Sequence, residues 1–222
     1  GCNLSCVFCQ NWDISQMDTG REVTAEELAK MMLALQDSGC HNINLVTPTH
    51  VVPQILEALV LAREEGLSVP LVYNSGGYDS AEALLLLDGI IDIYMPDAKY
   101  GQDGPAQKYS AAPGYTTVNK AALKEMHRQV GDLQMDEEGI ALQGLLVRHL
   151  VLPADAAGTE EVVRFISQEI SVHTYLNVMA QYHPEYQACR YPELSRAITA
   201  REYAQALHLA EKAGLVRGLA ML

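Results

Sequence analysis

The feature that most limits the fold is an alternation of short apolar runs with helical segments. Five runs read as strands, at 42–47, 70–74, 90–95, 145–152 and 175–180, and each is separated from the next by at least one helix signal. Thr24 with Glu27 three positions on has the form of a capping box, and Leu28, Met31, Met32 and Leu35 follow at helical spacing until Gly39. Ile55, Leu59 and Ala62 share one face of a segment over 51–65. Ser80 can cap a helix reaching 87, further helices are expected over 119–130 and 160–169, and Thr199 with Glu202 repeats the capping box before the last helix. The runs around Leu45, Leu71 and Val147 are nearly all apolar, as parallel strands covered on both faces are. Right-handed crossovers then give an α/β fold, either an open sheet or a barrel. The 222 residues contain no repeat or linker, so one domain over 1–222 is the simplest reading.

Charge excludes one class of partner. Lys and Arg number 15 against 28 Asp and Glu, a formal charge of −13, which leaves no basic face to neutralise phosphates, so no nucleic acid is expected. No membrane is expected either: the longest apolar stretches, 84–87 and 90–95, are broken by Asp88, Gly89 and Asp92, well short of the ~18 residues of a span. No signal peptide is visible, and a cytoplasmic protein with reduced thiols is the default.

Three of the five cysteines fall in Gly1-Cys2-Asn3-Leu4-Ser5-Cys6-Val7-Phe8-Cys9, a C-x3-C-x2-C spacing. Three thiolates on one short loop can grip a soft metal centre from one side. A zinc site would need a fourth ligand such as His41 or His50. A ferredoxin-type cluster would want a fourth cysteine, and none is near in sequence. A redox thiol motif needs only two. The remaining reading is a [4Fe–4S] cluster on Cys2, Cys6 and Cys9 with one iron left open.

This spacing, with aromatic Phe8 just before the last cysteine, resembles the signature of the radical S-adenosylmethionine (SAM) superfamily. Residues 1–12 look more closely like its branch related to pyruvate formate-lyase activating enzyme, the PflX-like proteins. So do 42–50 (NINLVTPTH), 72–78 (VYNSGGY), 92–100 (DIYMPDAKY), 148–153 (RHLVLP) and 179–184 (MAQYHP). The resemblance implies a partial (β/α) barrel whose cluster loop follows the first strand. The chain starts at that loop, so the first strand is expected to be missing. It also implies SAM chelated at the open iron, an electron donor such as flavodoxin or ferredoxin, and a 5′-deoxyadenosyl radical that takes a hydrogen atom from the substrate. Two kinds of substrate compete: a glycyl radical enzyme docked on the stretches 99–115 and 181–198, or a small molecule or peptide. A zinc-stapled α/β module without enzymatic activity is the reading from another class.

Such a site is expected inside the barrel, at the C-terminal ends of the strands. Each strand does deliver polar residues there: Thr47, Thr49 and His50; Asn74 and Ser75 before Gly76 and Gly77; Asp97 and Lys99; Arg148 and His149; Asn177, Gln181, Tyr182 and His183. Arg148 is the only charge inside an apolar strand and needs a carboxylate or hydroxyl partner, from SAM or from Asp97. Asp97 and Lys99 read as a positioning pair or an ordinary loop salt bridge. Thr47 and Thr49 stand where activating enzymes usually carry a Gly-Gly-Glu stretch for the SAM amino group, so hydroxyls and backbone carbonyls would replace it. Asn74 and Gly76 are expected to line the SAM pocket, with glycine allowing close approach of a ligand. Phe8 is expected against the cluster or adenine. Lys99, Lys108, Lys120, Lys124 and Arg128 form a basic run that an acidic electron donor could meet, or a solvated face.

Overall fold

The computed structural model describes residues 1–17 and 19–219. Its strands are β1 (Ile43–Val46), β2 (Leu71–Asn74), β3 (Ile93–Tyr94), β4 (Gln134–Met135), β5 (Ala141–Leu150) and β6 (Tyr175–Met179). Its helices are α1 (Trp12–Gln16), α2 (Ala25–Asp37), α3 (Val52–Glu64), α4 (Ala81–Leu85), α5 (Asp103–Ser110), α6 (Tyr115–Val130), α7 (Thr159–Phe165) and α8 (Ala200–Lys212). β1, β2, β3 and β5 pair side by side in parallel. β6 joins the C-terminal half of β5 in parallel, and β4 joins its N-terminal half antiparallel. The α/β reading with a mainly parallel sheet therefore holds, and β1 lies at the edge of the described sheet.

The expected caps form. Thr24 and Thr199 each accept the N–H of the glutamate three residues on, whose carboxylate returns to the cap N–H. Several elements differ from the sequence reading, and the strand expected at 90–95 is reduced to Ile93–Tyr94. The helix expected over 119–130 begins at Tyr115, where Gly114 adopts a left-handed φ of 62° with no side-chain cap to announce it. The stretch 99–115 is not loose but contains α5. The strand expected at 145–152 starts at Ala141, because Asp136 accepts the N–H groups of Glu138 and Ile140 and closes a hairpin with β4.

The period of two along each strand divides the molecule into layers. Ile43, Leu71, Tyr73, Tyr94, Leu145, Val147, Leu176 and Val178 face the helices and form one apolar core with α2, α3, α6, α7 and α8. The alternate positions, including Asn44, Val72, Asn74, Ile93, Arg148 and Asn177, face the other way. Val72 and Ile93 make a small apolar cluster there with Leu133. The helices thus cover one face, not both, and the second face becomes polar toward the strand ends. No described helix is long and apolar enough to cross a membrane.

Candidate functional site

The cysteine loop sits over the C-terminal ends of β3, β5 and β6 and packs on an apolar cluster of its own, with Leu4, Val7, Phe8, Tyr109, Tyr115 and Tyr182 buried in it. The backbone N–H groups of Ser5 and Val7 donate to the carbonyls of Ser110 (3.0 Å) and Tyr109 (2.8 Å), so the end of α5 grips the loop on either side of Cys6. From the opposite side, Gln187 N–H donates to the Val7 carbonyl at 2.8 Å and Gln10 Nε2 to the Gln181 carbonyl at 3.1 Å. Leu4 fills the space beside Gly76, where an added Cβ would lie 2.7 Å from its Cδ1. At Gly77, φ is +69° and a Cβ would lie 2.0 Å from the Asp97 carbonyl oxygen. Beside these glycines lie the cysteine loop and a backbone carbonyl, and neither glycine lines the cavity next to the loop.

The three thiols have separate surroundings. Cys6 is buried and accepts from the Ser110 hydroxyl at 3.0 Å. Cys9 lies 3.3 Å from Ser15 Oγ, and Cys2 accepts the Leu4 N–H at 3.4 Å. Burial pushes the Cys6 thiol up, while the Lys99 ammonium and the Ser110 hydroxyl pull it down. Among the described residues, no three His, Cys, Asp or Glu side chains are gathered to hold a single ion. A zinc ion with Zn–S bonds of about 2.3 Å would require sulfurs in mutual contact, whereas a cubic cluster takes each cysteine on a different iron. The donor set on the loop, soft sulfur with no carboxylate, suits zinc and iron–sulfur alike; it is the separate surroundings of the three thiols that suit the latter.

Beside the loop lies a cavity of about 230 Å³ lined by Cys6, Phe8, Cys9, Asp97, Lys99, Arg148 and Gln181. Asp97 carries the polar side of it. Lys99 Nζ pairs with Oδ2, and Arg148 Nη2 lies 2.7 Å from Oδ1. The Arg148 contact is a meeting of charges out of hydrogen-bond alignment, and Asp97 Oδ1 and Arg148 Nε are both buried without a hydrogen-bond partner. Burial alone would push the Lys99 ammonium down; Asp97 and Cys6 outweigh it, and the net shift is upward. With two cations set against one carboxylate, this wall carries an excess of positive charge that suits a ligand bearing a carboxylate.

The other expected residues divide. Phe8 lines the cavity and meets Tyr182 edge-on, with ring centroids 5.7 Å apart. Asn74 is buried on the inner face of β2. Thr47 takes a left-handed φ of 49° and donates its N–H to the Asn74 carbonyl at 2.7 Å. Thr49 points elsewhere: its hydroxyl donates to Asp79 Oδ1 at 2.7 Å, beside a different cavity lined by Asn3, Tyr78 and Asp79. Asp79, 1% exposed, also accepts from Tyr73 and Ser75 and ties the ends of β1 and β2 together. Sequence reasoning missed it, since Asp79 beside Ser80 reads as part of a helix cap. His149 is fully buried on the helix face, with Nδ1 2.7 Å from the Ala98 carbonyl and Nε2 3.0 Å from Thr159 Oγ1, so it is a core residue and not part of the site. His50 and His183 are exposed. Four of the five residues of the basic run are paired, Lys99 with Asp97, Lys108 with Glu193, Lys124 with Glu169, and Arg128 with Asp88 and Glu125, and Lys120 lies over the Phe165 ring, 5.2 Å from its centroid.

A sulfur-rich loop closing the C-terminal mouth of a parallel sheet is the architecture of an enzyme that mounts a metal cofactor over a barrel-like cavity. The chain matches the radical SAM superfamily over residues 1–221 and belongs to it. Enzymes of this family use a [4Fe–4S] cluster and S-adenosylmethionine and cleave the latter to do radical chemistry. An uncharacterized protein of Methanocaldococcus jannaschii is 35% identical over 97% of this chain and 61% of its own length. The pyruvate formate-lyase-activating enzyme of Clostridium pasteurianum is 26% identical over 73% of this chain and 63% of its own. The chain thus spans about three fifths of these curated relatives. The structure of native anSMEcpe with bound AdoMet superposes on 96% of this chain and 57% of that one with a TM-score of 0.63 at 10% identity, a likeness of fold.

Proposed function

We propose that Cys2, Cys6 and Cys9 hold the [4Fe–4S] cluster, that the adjoining cavity binds SAM, and that the chain, as a single domain over 1–222, abstracts a hydrogen atom from a glycyl radical enzyme. The observation that carries this reading is the loop itself, with Cys6 and Cys9 opening onto a cavity whose wall sets Arg148 and Lys99 against the single carboxylate of Asp97. When bound, the cluster would pass one electron from an external donor to the sulfonium of SAM, chemistry that breaks the S–C5′ bond and yields methionine and the 5′-deoxyadenosyl radical. The protein's residues bind and orient. In this reading the Arg148 guanidinium binds the SAM carboxylate and the Asp97 carboxylate its amine. Thr47 is left to contribute backbone and hydroxyl groups, since Thr49 is engaged by Asp79. Phe8, Met179 and Tyr182 give the cavity apolar walls that exclude water from the reacting atoms. A macromolecular substrate is supported by the resemblance to the activating enzyme and by the rim formed by 181–198, where Tyr186 stacks on Trp12 with centroids 5.2 Å apart. An electron donor such as flavodoxin or ferredoxin and a cytoplasmic location belong to the same proposal.

The test is anaerobic reconstitution. A brown protein that forms 5′-deoxyadenosine only with both SAM and reductant is expected, and Cys6→Ala is expected to lose that product entirely. A colourless protein carrying one zinc on the same thiols, or undiminished turnover in Cys6→Ala, overturns the ligand assignment.

A further inference from the structure

We propose that Tyr100 and Ser110 form a directed hydrogen-bond relay onto Cys6 that raises the electron affinity of the cluster; the proposal rests on Cys6 being one of the cluster's ligands. The three side chains are in line. Tyr100 OH lies 2.7 Å from Ser110 Oγ, and Ser110 Oγ lies 3.0 Å from Cys6 Sγ. All three residues are buried, with Tyr100 2%, Ser110 0% and Cys6 8% exposed.

The direction of the relay follows from counting protons. A metal-bound thiolate has none and can only accept. Ser110 has one hydroxyl proton and gives it to Cys6, so its remaining partner must donate to it. That partner is Tyr100. Each hydrogen bond then polarises the next.

The arrangement is fixed by the backbone rather than by chance contact. α5 ends at Ser110, with Ala111 in the left-handed conformation at φ 51°. The last carbonyls of a helix have no partner within it. Those of Tyr109 and Ser110 accept the N–H groups of Val7 and Ser5, the two neighbours of Cys6. Two backbone bonds therefore hold Ser110 and Cys6 opposite each other although they are 104 positions apart.

A donor to a ligating sulfur stabilises negative charge on it. The reduced cluster holds one more electron than the oxidised one, so the donor favours the reduced state and raises the potential. Ser110 is in this sense a positioning residue for Cys6 with an electronic effect, and Tyr100 supports it.

The experiment uses the anaerobically loaded protein and reads iron, sulfide and the midpoint of the one-electron reduction by spectroelectrochemistry. Ser110→Ala is expected to keep wild-type iron and sulfide. At the wild-type midpoint, its ratio of reduced to oxidised cluster is expected to fall about tenfold, a shift of 59 mV to lower potential for one electron. Tyr100→Phe is expected to shift the same way by less. Full cluster content with an unchanged midpoint in both variants overturns the relay while leaving the cluster reading intact. If Ser110→Ala does not hold the cluster, Tyr100→Phe decides, and an unchanged midpoint there overturns the relay. Failure of the wild type to take up iron, or full iron in Cys6→Ala, overturns instead the assignment of Cys6 as ligand.

Discussion

Arg148 and His149 are consecutive on β5, and the strand's period of two sends them to opposite faces. Arg148 enters the cavity; His149 enters the helix-side core. There its carbonyl and hydroxyl partners fix the neutral imidazole with the proton on Nδ1, and burial pushes its pKa below the ordinary value, the Ala98 carbonyl pulling the other way. The unfolded chain binds this proton as pH falls through about 6.5, where the folded protein still refuses it. Stability contributed by the neutral ring is therefore complete above that pH and declines on acidification. Urea melts at pH 7.5 and 5.5 are expected to show a smaller loss in His149→Gln than in wild type; an equal loss would mean that His149 does not carry the effect. The same pair marks the limit of the sequence. Both residues are polar within an apolar run, and only the register of β5 against β3 and β6 decides which one meets a ligand. Asp79 was hidden for a related reason, since its three hydroxyl donors come from Thr49, Tyr73 and Ser75 and gather only when β1 and β2 pair.

At the scale of elements, what could be read was what is locally encoded. Both capping boxes and the parallel strands carry their signals within a few residues. The start of α6 does not, because a left-handed glycine without a side-chain cap leaves no mark beyond Gly114 itself. The seat of the cysteine loop is likewise a matter of tertiary approach, made at the Gly76–Gly77 turn. The two glycines are expected to differ sharply. Gly77→Ala combines a left-handed backbone with overlap on the rigid Asp97 carbonyl and is expected to cost more than about 3 kcal/mol. Gly76→Ala clashes with a side-chain methyl of Leu4 rather than with backbone and is expected to cost about 1 kcal/mol while reducing iron uptake by displacing the loop. Denaturation in urea together with iron analysis checks both. Equal stability of the two variants would show that the turn is not built around these contacts.

Across the whole molecule, the sheet separates the part that holds the protein together from the part that handles ligands. The helix side is a continuous apolar core reaching from Met32 to Leu215, while the other side holds only the small cluster of Val72, Ile93 and Leu133 and turns polar at the strand ends, where Asn74, Asp97, Arg148 and Asn177 lie near the cysteine loop. This polarity of layers could be anticipated from the alternation of residues in β6, but the runs of Leu, Val and Ile elsewhere gave no sign that only one face would be packed by helices. Adjacent residues on β6 test the division. Leu176 is 0% exposed among the helices, and its removal leaves a cavity, so Leu176→Ala is expected to cost about 2–5 kcal/mol. Asn177 faces inward at the register of Arg148 and is only partly buried, so Asn177→Ala is expected to stay within about 0.5 kcal/mol of wild type. Its effect should fall instead on the reaction, as a lower rate of hydrogen abstraction from substrate with the cluster content unchanged. If the asparagine variant is the less stable of the two, the inner face is a second structural core, and the cavity must be sought elsewhere.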